Sequence, residues 1–542
     1  MADPAAEADD DTAADGPQER PPAGRAEGAG QGRRLLGVGV VALLVLAAVW
    51  SLVPVRLAMS GARDRGEQTY AAPANGDHMY YASMMLQYAG TPYLQSLDET
   101  AAYFRYPGDW HKAYFLNPDR APLIYPRSAL PLLGTPLVPA MGVAAIFVPG
   151  ILCGLATVLL LVLLARRWGV RWALAPPLLV FLLSPAFAWY ATGLYTESIL
   201  ALVVVGAALC LPLAGRRPGL SGTVWLAVLA IVGGLTRQAG LVVPAMVVAG
   251  LLGAVLLARG RRREELRLWA WPTAAALIGG LGVTAVVSVW APYDVLAFTR
   301  SRSGGNGVVS TVVQAFLALP RDLVDSLAVS PAGSGLVLLL LVVGVPCALW
   351  LLREPLGWVI LGAASFPVAT AALNGTDTLR YVSPVYPLLV LAIGVVLHRA
   401  VAARRGEPTA PPAPVASPRW LSPTSTVLAV VTGLLLVGAT VAVYRPAPLQ
   451  PVGVVTSEQL GKLWPLDVPS ATAYCGGDDG QVWLESDGRS YALSGTALAR
   501  RGLLEPSAAR LRSGSKLPWA TSVNRLLNDV LARCTPPLTS PR

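Results

Sequence analysis

The stretch LVPAMGVAAIFVPGILCGLATVLLLVLL, residues 137–164, carries no charged side chain and stops against Arg166, Arg167 and Arg171. Crossing ~30 Å of hydrocarbon takes roughly 20 apolar residues in a helix, so the stretch reads as a membrane span with a basic end. Outward from it the pattern repeats. Residues 35–53, 196–214, 240–258, 336–352 and 424–443 have the same character, and 172–191, 222–235, 270–290, 356–373 and 384–398 are shorter or broken by Pro or Gly. Together they set an expectation of about eleven spans. Composition agrees, because the chain is 54% hydrophobic and only 14% charged, with mean hydropathy +0.53. Soluble domains carry about 25% charge, so this is a polytopic membrane protein.

A net charge of +10 would ordinarily raise nucleic acid as a partner. Here the excess lies in short connections between spans: Arg216 and Arg217; Arg259, Arg261, Arg262, Arg263 and Arg267; Arg399, Arg404 and Arg405. Clusters on alternate connections are the positive-inside pattern, so the charge reports topology and no nucleic-acid partner is expected. Arg33 and Arg34 before the first run place the N-terminus in the cytoplasm, and an odd number of spans then places the C-terminal segment outside. The first run has a long acidic leader and is too long for a signal peptide. Lys112, Lys462 and Lys516 are the only lysines among 42 basic residues, a bias that points to a G+C-rich bacterial genome.

The chain divides by composition. Residues 1–32 read as a disordered cytoplasmic tail, poor in large apolar residues. Residues 33–400 form the spanning region, with a first outer loop over 56–134 rich in Tyr, Phe and Trp. A loop so long and aromatic is expected to hold short helices at the membrane surface. Two further polar stretches, 291–332 and 374–381, face outward. Residues 401–423 read as a cytoplasmic Pro-rich linker, 424–443 as the last span, and 444–542 as a separate outer module. Within that module, residues 482–485 and 490–493 flank Asp487-Gly488 as a hairpin, and 519–533 reads as a helix. Cys153, Cys210 and Cys347 are packing residues of spans. Cys475 and Cys534 fall in the outer module, where an oxidising compartment favours a disulfide, with two free thiols as the alternative.

A charge beside an apolar helix is costly, roughly 3 kcal/mol at the bilayer centre, and so marks a candidate site. Asp77 follows Asn75-Gly76 in the first outer loop; it can act as base toward a hydroxyl or cap a helix. Glu197 ends Thr192-Gly193-Leu194-Tyr195-Thr196-Glu197 and opens an apolar run. It can orient a sugar hydroxyl, bind a metal, or serve only as a first-turn acid. Arg237, in Leu235-Thr236-Arg237-Gln238, lies on the outer side against the positive-inside trend. Its planar fork suits phosphate, and snorkelling to headgroups is the alternative. Arg380, in Leu379-Arg380-Tyr381-Val382-Ser383-Pro384-Val385-Tyr386-Pro387, has the same two readings. His111 and Lys112 read as solvated loop residues. Three histidines without HExxH or CxxC demand no metal, and neither a Walker loop nor a G-x-S-x-G elbow is present.

In order and sidedness these pieces resemble the multi-span C-type (GT-C) glycosyltransferase superfamily, which uses lipid-phosphate-linked sugars. The matching positions are Asp77 in the first outer loop, Thr196-Glu197 opening a helix, Leu235-Thr236-Arg237, and Arg380-Tyr381-Val382-Ser383-Pro384-Val385-Tyr386-Pro387. Tyr125-Pro126-Arg127 resembles the family's Y-P step, and the likeness covers roughly residues 35–400. Many members carry two adjacent acids where this chain has Asp77-His78, a departure that bears on metal use and on the base. The outer module, through Trp464-Pro465-Leu466, Cys475, residues 487–497 and Cys534, resembles a small exported bacterial domain of unknown function.

The resemblance implies an all-α polytopic membrane enzyme with a small α+β extracytoplasmic C-terminal domain. It would move a sugar, mannose by family analogy, from a polyprenyl-phosphate donor to a glycan, lipid or protein acceptor of the cell envelope. Asp77 would serve as general base. Arg237 and Arg380 would meet the leaving phosphate, Glu197 would orient the sugar or support the site, and His78 and Tyr381 would bind substrate. No cofactor is required, and a divalent metal stays open. Two other readings are weighed: a transporter or flippase of lipid-linked sugars, expected to show repeats and midplane polar residues, and a non-catalytic scaffold presenting the outer module, for which one span would suffice.

Overall fold

The computed structural model describes residues 76–104, 127–170, 172–188, 195–214, 219–236, 241–258, 260–290, 308–329, 334–374, 378–406, 449–461 and 468–476. It also describes 46, 464, 481–486, 489–493, 526, 529–530 and 533. Two helices, α1 (Gly76–Tyr88) and α2 (Tyr93–Phe104), lie within the stretch 56–134. The helical region continues with α3 (Ala129–Trp168), α4 (Trp172–Leu183), α5 (Glu197–Cys210), α6 (Leu220–Thr236), α7 (Val242–Leu257) and α8 (Arg262–Trp290). Next come α9 (Val308–Val329), α10 (Gly335–Trp350), α11 (Pro355–Asn374) and α12 (Thr378–Arg404).

Five of the roughly eleven expected spans are matched by long apolar helices. Among the described residues five helices are long and apolar enough to cross a membrane, lying in α3, α8, α10, α11 and α12. The runs at 172–191, 196–214, 222–235 and 240–258 form apolar helices of only 10–17 residues, and those at 35–53 and 424–443 lie outside the described residues. Backbone chemistry shortens them. The helix over 172–191 stops at Ser184, extended and followed by Pro185, and α5 stops at Leu211, extended and followed by Pro212. A residue before proline is pushed out of the helical region.

Small residues let the helices approach. α7 packs on α11, α6 on α8, and α5 on both α3 and α6. A Cβ at Gly279 of α8 would fall against the backbone carbonyl of Ala227 in α6, whereas one at Gly282 would meet open space. Close small-residue contacts drive helix association where no hydrophobic effect can. Gly279→Ala is therefore expected to lower unfolding stability by about 1–3 kcal/mol. Gly282→Ala should be neutral, or stabilising by up to about 1 kcal/mol. Equal thermal midpoints for the two variants in detergent would show that the α6–α8 contact is not close.

The stretches 56–134 and 291–332 both hold helices. In α1, Met79, Tyr80, Tyr81, Ala82, Met84, Met85 and Leu86 are each 2% exposed or less, so this helix is part of the core. Its polar side chains are paired as they enter the core: the Ser83 and Ser96 hydroxyls share a hydrogen bond of 2.7 Å, and Gln87 Nε2 donates to Ser83 Oγ at 3.0 Å. Within the stretch 291–332, residues 308–329 are a helix, α9. One side of α9 exposes Val309, Val313, Phe316, Leu317 and Val324, while Ser326 on another side is buried and its Oγ accepts from the Thr378 amide at 3.0 Å. α12 runs to Arg404, beyond the expected boundary at 400.

In the C-terminal module, β1 (Leu449–Thr456), β2 (Ser470–Gly476), β3 (Gln481–Ser486) and β4 (Arg489–Ala492) form an antiparallel sheet in chain order. β3 and β4 pair with Ser486 opposite Arg489, the register the Asp487-Gly488 turn predicts. Pro451 sits on the edge strand β1 beside a register shift, where its missing N–H costs no ladder bond. Tyr474 and Trp483, directly opposite on β2 and β3, stack at 5.3 Å. Cys475 is disulfide-bonded, and Cys153, Cys210 and Cys347 are free. Cys534, the partner expected for Cys475, lies outside the described residues, as does most of the 519–533 helix.

Candidate functional site

Four helices begin at one place. α1 begins with Asp77 in its first turn, α3 just after Arg127, α5 with Glu197, and α12 with Arg380 in its first turn. Their other ends lie away from this site. The Arg167 guanidinium at the end of α3 donates to the Leu209 carbonyl near the end of α5, and α12 packs on the start of α4. α5 has 14 residues, about 21 Å at 1.5 Å per residue.

Arg380 is the centre of the cluster. Its Nε donates to Glu197 Oε1 at 2.8 Å, and its Nη2 donates to Asp77 Oδ2 at 2.8 Å. The guanidinium carbon also lies 4.2 Å from the centroid of the Tyr195 ring and 5.9 Å from that of Tyr381. A cation in the first turn of a helix opposes the macrodipole. Two carboxylates and an aromatic face offset that cost. Side-chain exposure is 0% for Glu197, 6% for Arg380 and 20% for Asp77, so Asp77 is the acid that an entering molecule can meet.

The local sequence explains how Arg380 is held. Pro384 and Pro387 supply no amide hydrogen to the carbonyls one turn before them. The Arg380 carbonyl instead accepts from Ser383 Oγ at 2.8 Å. The Tyr386 hydroxyl reaches back to the Leu379 carbonyl at 3.2 Å. The R-Y-V-S-P-V-Y-P segment is thus a proline-interrupted first turn whose own hydroxyls satisfy its backbone.

Asp77 stands between two guanidiniums. Arg127 Nη1 is 3.6 Å from Asp77 Oδ2 and donates to the Tyr81 hydroxyl at 3.1 Å. Burial alone would raise the Asp77 carboxyl, but Arg380 and Arg127 outweigh it and hold the group well below the usual carboxylate range. Asp77 is therefore ionised at neutral pH.

Of the residues singled out in the sequence, Asp77, His78, Glu197, Arg380 and Tyr381 come together. His78 is fully buried, its ring edge-on to Tyr195 at 4.2 Å, so it forms part of the wall behind the acids. Arg237 lies outside the described residues. Asp77 Oδ2 and Glu197 Oε1 both accept from the one guanidinium of Arg380. Among the described residues no three His, Cys, Asp or Glu side chains gather to hold a metal.

Arg127, Tyr81 and Tyr195 were not singled out as site residues. Arg127 has a signal in the sequence, a charge directly before an apolar run, like the charge that drew attention to Arg237. Tyr195 sits inside the quoted Thr192–Glu197 element, but nothing in the sequence shows that its ring lies under Arg380.

No family model matches the sequence, and no curated protein matches it. Two solved structures are similar in part. One is the archaeal oligosaccharyltransferase AglB from Archaeoglobus fulgidus, in complex with an inhibitory peptide and a dolichol-phosphate. It shows 14% identity and a TM-score of 0.37, over 74% of this chain and 55% of that one. The other is an Archaeoglobus fulgidus oligosaccharyltransferase tethered with an acceptor peptide containing the NVT sequon via a disulfide bond. Its identity is 14% and its TM-score 0.39, over 74% of this chain and 54% of that one. This chain thus spans about half the length of those structures. A likeness of that degree assigns no activity.

Proposed function

We propose that this chain is an integral membrane glycosyltransferase that moves a sugar from a polyprenyl-phosphate donor to an acceptor outside the cytoplasmic membrane. The observation that carries the reading is the partly open Asp77 carboxylate, held on Arg380 at the meeting point of four helix starts in a strongly apolar bundle. Glycosyl phosphates supply their own leaving group, so neither ATP nor a nucleotide sugar is needed at such a site.

In this reading the acceptor hydroxyl attacks the anomeric carbon and gives its proton to Asp77. The bond from that carbon to the phosphate oxygen breaks, and the phosphate leaves with its lipid. The transition state has oxocarbenium character, as in other glycosyl transfers. Fixed guanidiniums are most valuable where charge develops, on the departing phosphate. A carboxylate held low by arginines is a weak base in the empty site. A donor phosphate drawing on the same arginines would restore its basicity as the site fills. Glu197, with no exposed side-chain surface, positions Arg380 and does not touch substrate. Mannose as the sugar, a cell-envelope acceptor, a cytoplasmic N-terminus and an extracytoplasmic C-terminal module complete the proposal.

The test uses membranes containing the protein, beside membranes lacking it, given a panel of labelled polyprenyl-phosphate sugars. Label leaving one donor and appearing in envelope acceptors is the expected result and names the sugar. Label that crosses the membrane still attached to its lipid would replace transfer with transport of lipid-linked sugar.

A further inference from the structure

We infer that Arg127 is the residue that binds the phosphate group of the donor. The inference rests on the transferase reading above. It comes from how the charges of the cluster are shared. Both carboxylates, Asp77 and Glu197, hydrogen-bond to Arg380, one on Nη2 and one on Nε. Arg380 is thereby a clamp for acids, and two of its three nitrogens are occupied.

Arg127 is placed differently. It is 8% exposed, and its hydrogen bond goes to the neutral Tyr81 hydroxyl. The nearest carboxylate oxygen stands 3.6 Å from its Nη1, beyond hydrogen-bond range. Its Nε is buried and has no acceptor among the described residues. A buried guanidinium with an unanswered N–H carries a desolvation cost that a bound anion would remove. The fork of a guanidinium matches two phosphate oxygens at once. Position fits as well: Arg127 immediately precedes α3, and the helix starts gathered here favour negative charge. A phosphate on Arg127 would lie beside Asp77, so the acid and the leaving group would flank one anomeric carbon. The ligand chemistry is a phosphate group, carried as an ester by a lipid donor or present as free phosphate.

The experiment is equilibrium binding of a labelled short-chain polyprenyl monophosphate to the full chain in detergent, with inorganic phosphate as competitor. Wild type is compared with Arg127→Gln and Arg127→Lys, each checked for folding by its thermal midpoint. Arg127→Gln should weaken binding by about 10- to 100-fold, the scale of a charge-assisted hydrogen bond. Arg127→Lys, which keeps the charge without the fork, should recover part of the loss. Should Arg127→Gln fail to fold, full-strength binding by Arg127→Lys would be the overturning result.

The two failures are distinguishable. Wild-type binding retained in full by Arg127→Gln would overturn the role of Arg127 and leave the transferase reading standing. No binding of polyprenyl phosphate by wild type would overturn the transferase reading and this inference with it. Inorganic phosphate competing as strongly as the lipid would overturn the lipid source, and weak competition would support it.

Discussion

Arg380→Met is expected to destabilise the folded protein by about 3–5 kcal/mol, the range found when one partner of a buried ion pair is removed. Methionine keeps the stem but leaves Asp77 and Glu197 without the cation that both now share. Glu197 has no exposed side-chain surface, so it must take up a proton or stay buried as an uncompensated charge. The cost should shrink when both sides are neutral. Arg380→Met/Glu197→Gln should therefore be less destabilised than the sum of its single changes, measured as a double-mutant cycle on unfolding in detergent. Arg399 offers the comparison. It pairs with Glu354, but the two side chains are 27% and 33% exposed, and Arg399→Met should cost no more than about 1 kcal/mol. Equal losses for Arg380→Met and Arg399→Met would remove the buried network as the organiser of the site.

Asp77→Asn is expected to slow sugar transfer by about 10²–10⁴-fold, the usual contribution of a general base. Folding should survive, because the Asp77 side chain is 20% exposed and an amide oxygen can still accept from Arg380. Near-wild-type turnover in a folded, inserted variant would eliminate Asp77 as the base. The pH dependence has a definite sign. Burial raises the Asp77 carboxyl, and the stronger pull of Arg380 and Arg127 lowers it below its unfolded value. Its ionised form therefore adds stability that is present above the ordinary carboxylate range near about 4. That stability is lost only as the pH falls through the lower, folded value. In the free enzyme the acid limb of kcat/KM should likewise lie below that range, and Arg127→Gln should move the limb upward.

Both predictions depend on neighbours that sequence order hides. Asp77, Glu197 and Arg380 are each conspicuous alone, as charges next to apolar runs, and their convergence on one face is legible from alternating basic clusters. Their pairing is not. Sequence reading leaves Arg380 between phosphate binding and headgroup contact, and Glu197 between three roles. In the fold, Arg380 is taken up by the two acids, and Glu197 is sealed behind it. Helix length is hidden for a related reason: hydropathy registers the apolar character of residues 172–191 and 196–214, but the helices within them end at extended residues before Pro185 and Pro212.

The sequence alone determined what each residue costs in an apolar setting. It established a helical membrane protein, the positions of most helices, the β3–β4 hairpin and the candidate charges, because hydropathy, turn chemistry and charge asymmetry are local properties. Tertiary structure decided which charge meets which. Arg127 and Asp77 are far apart along the chain, and Asp77 and Arg380 farther still. Only the meeting of four helix starts gives Arg380 two carboxylates and leaves Arg127 with an unanswered N–H. Distances of that kind come from packing, and no local pattern encodes them.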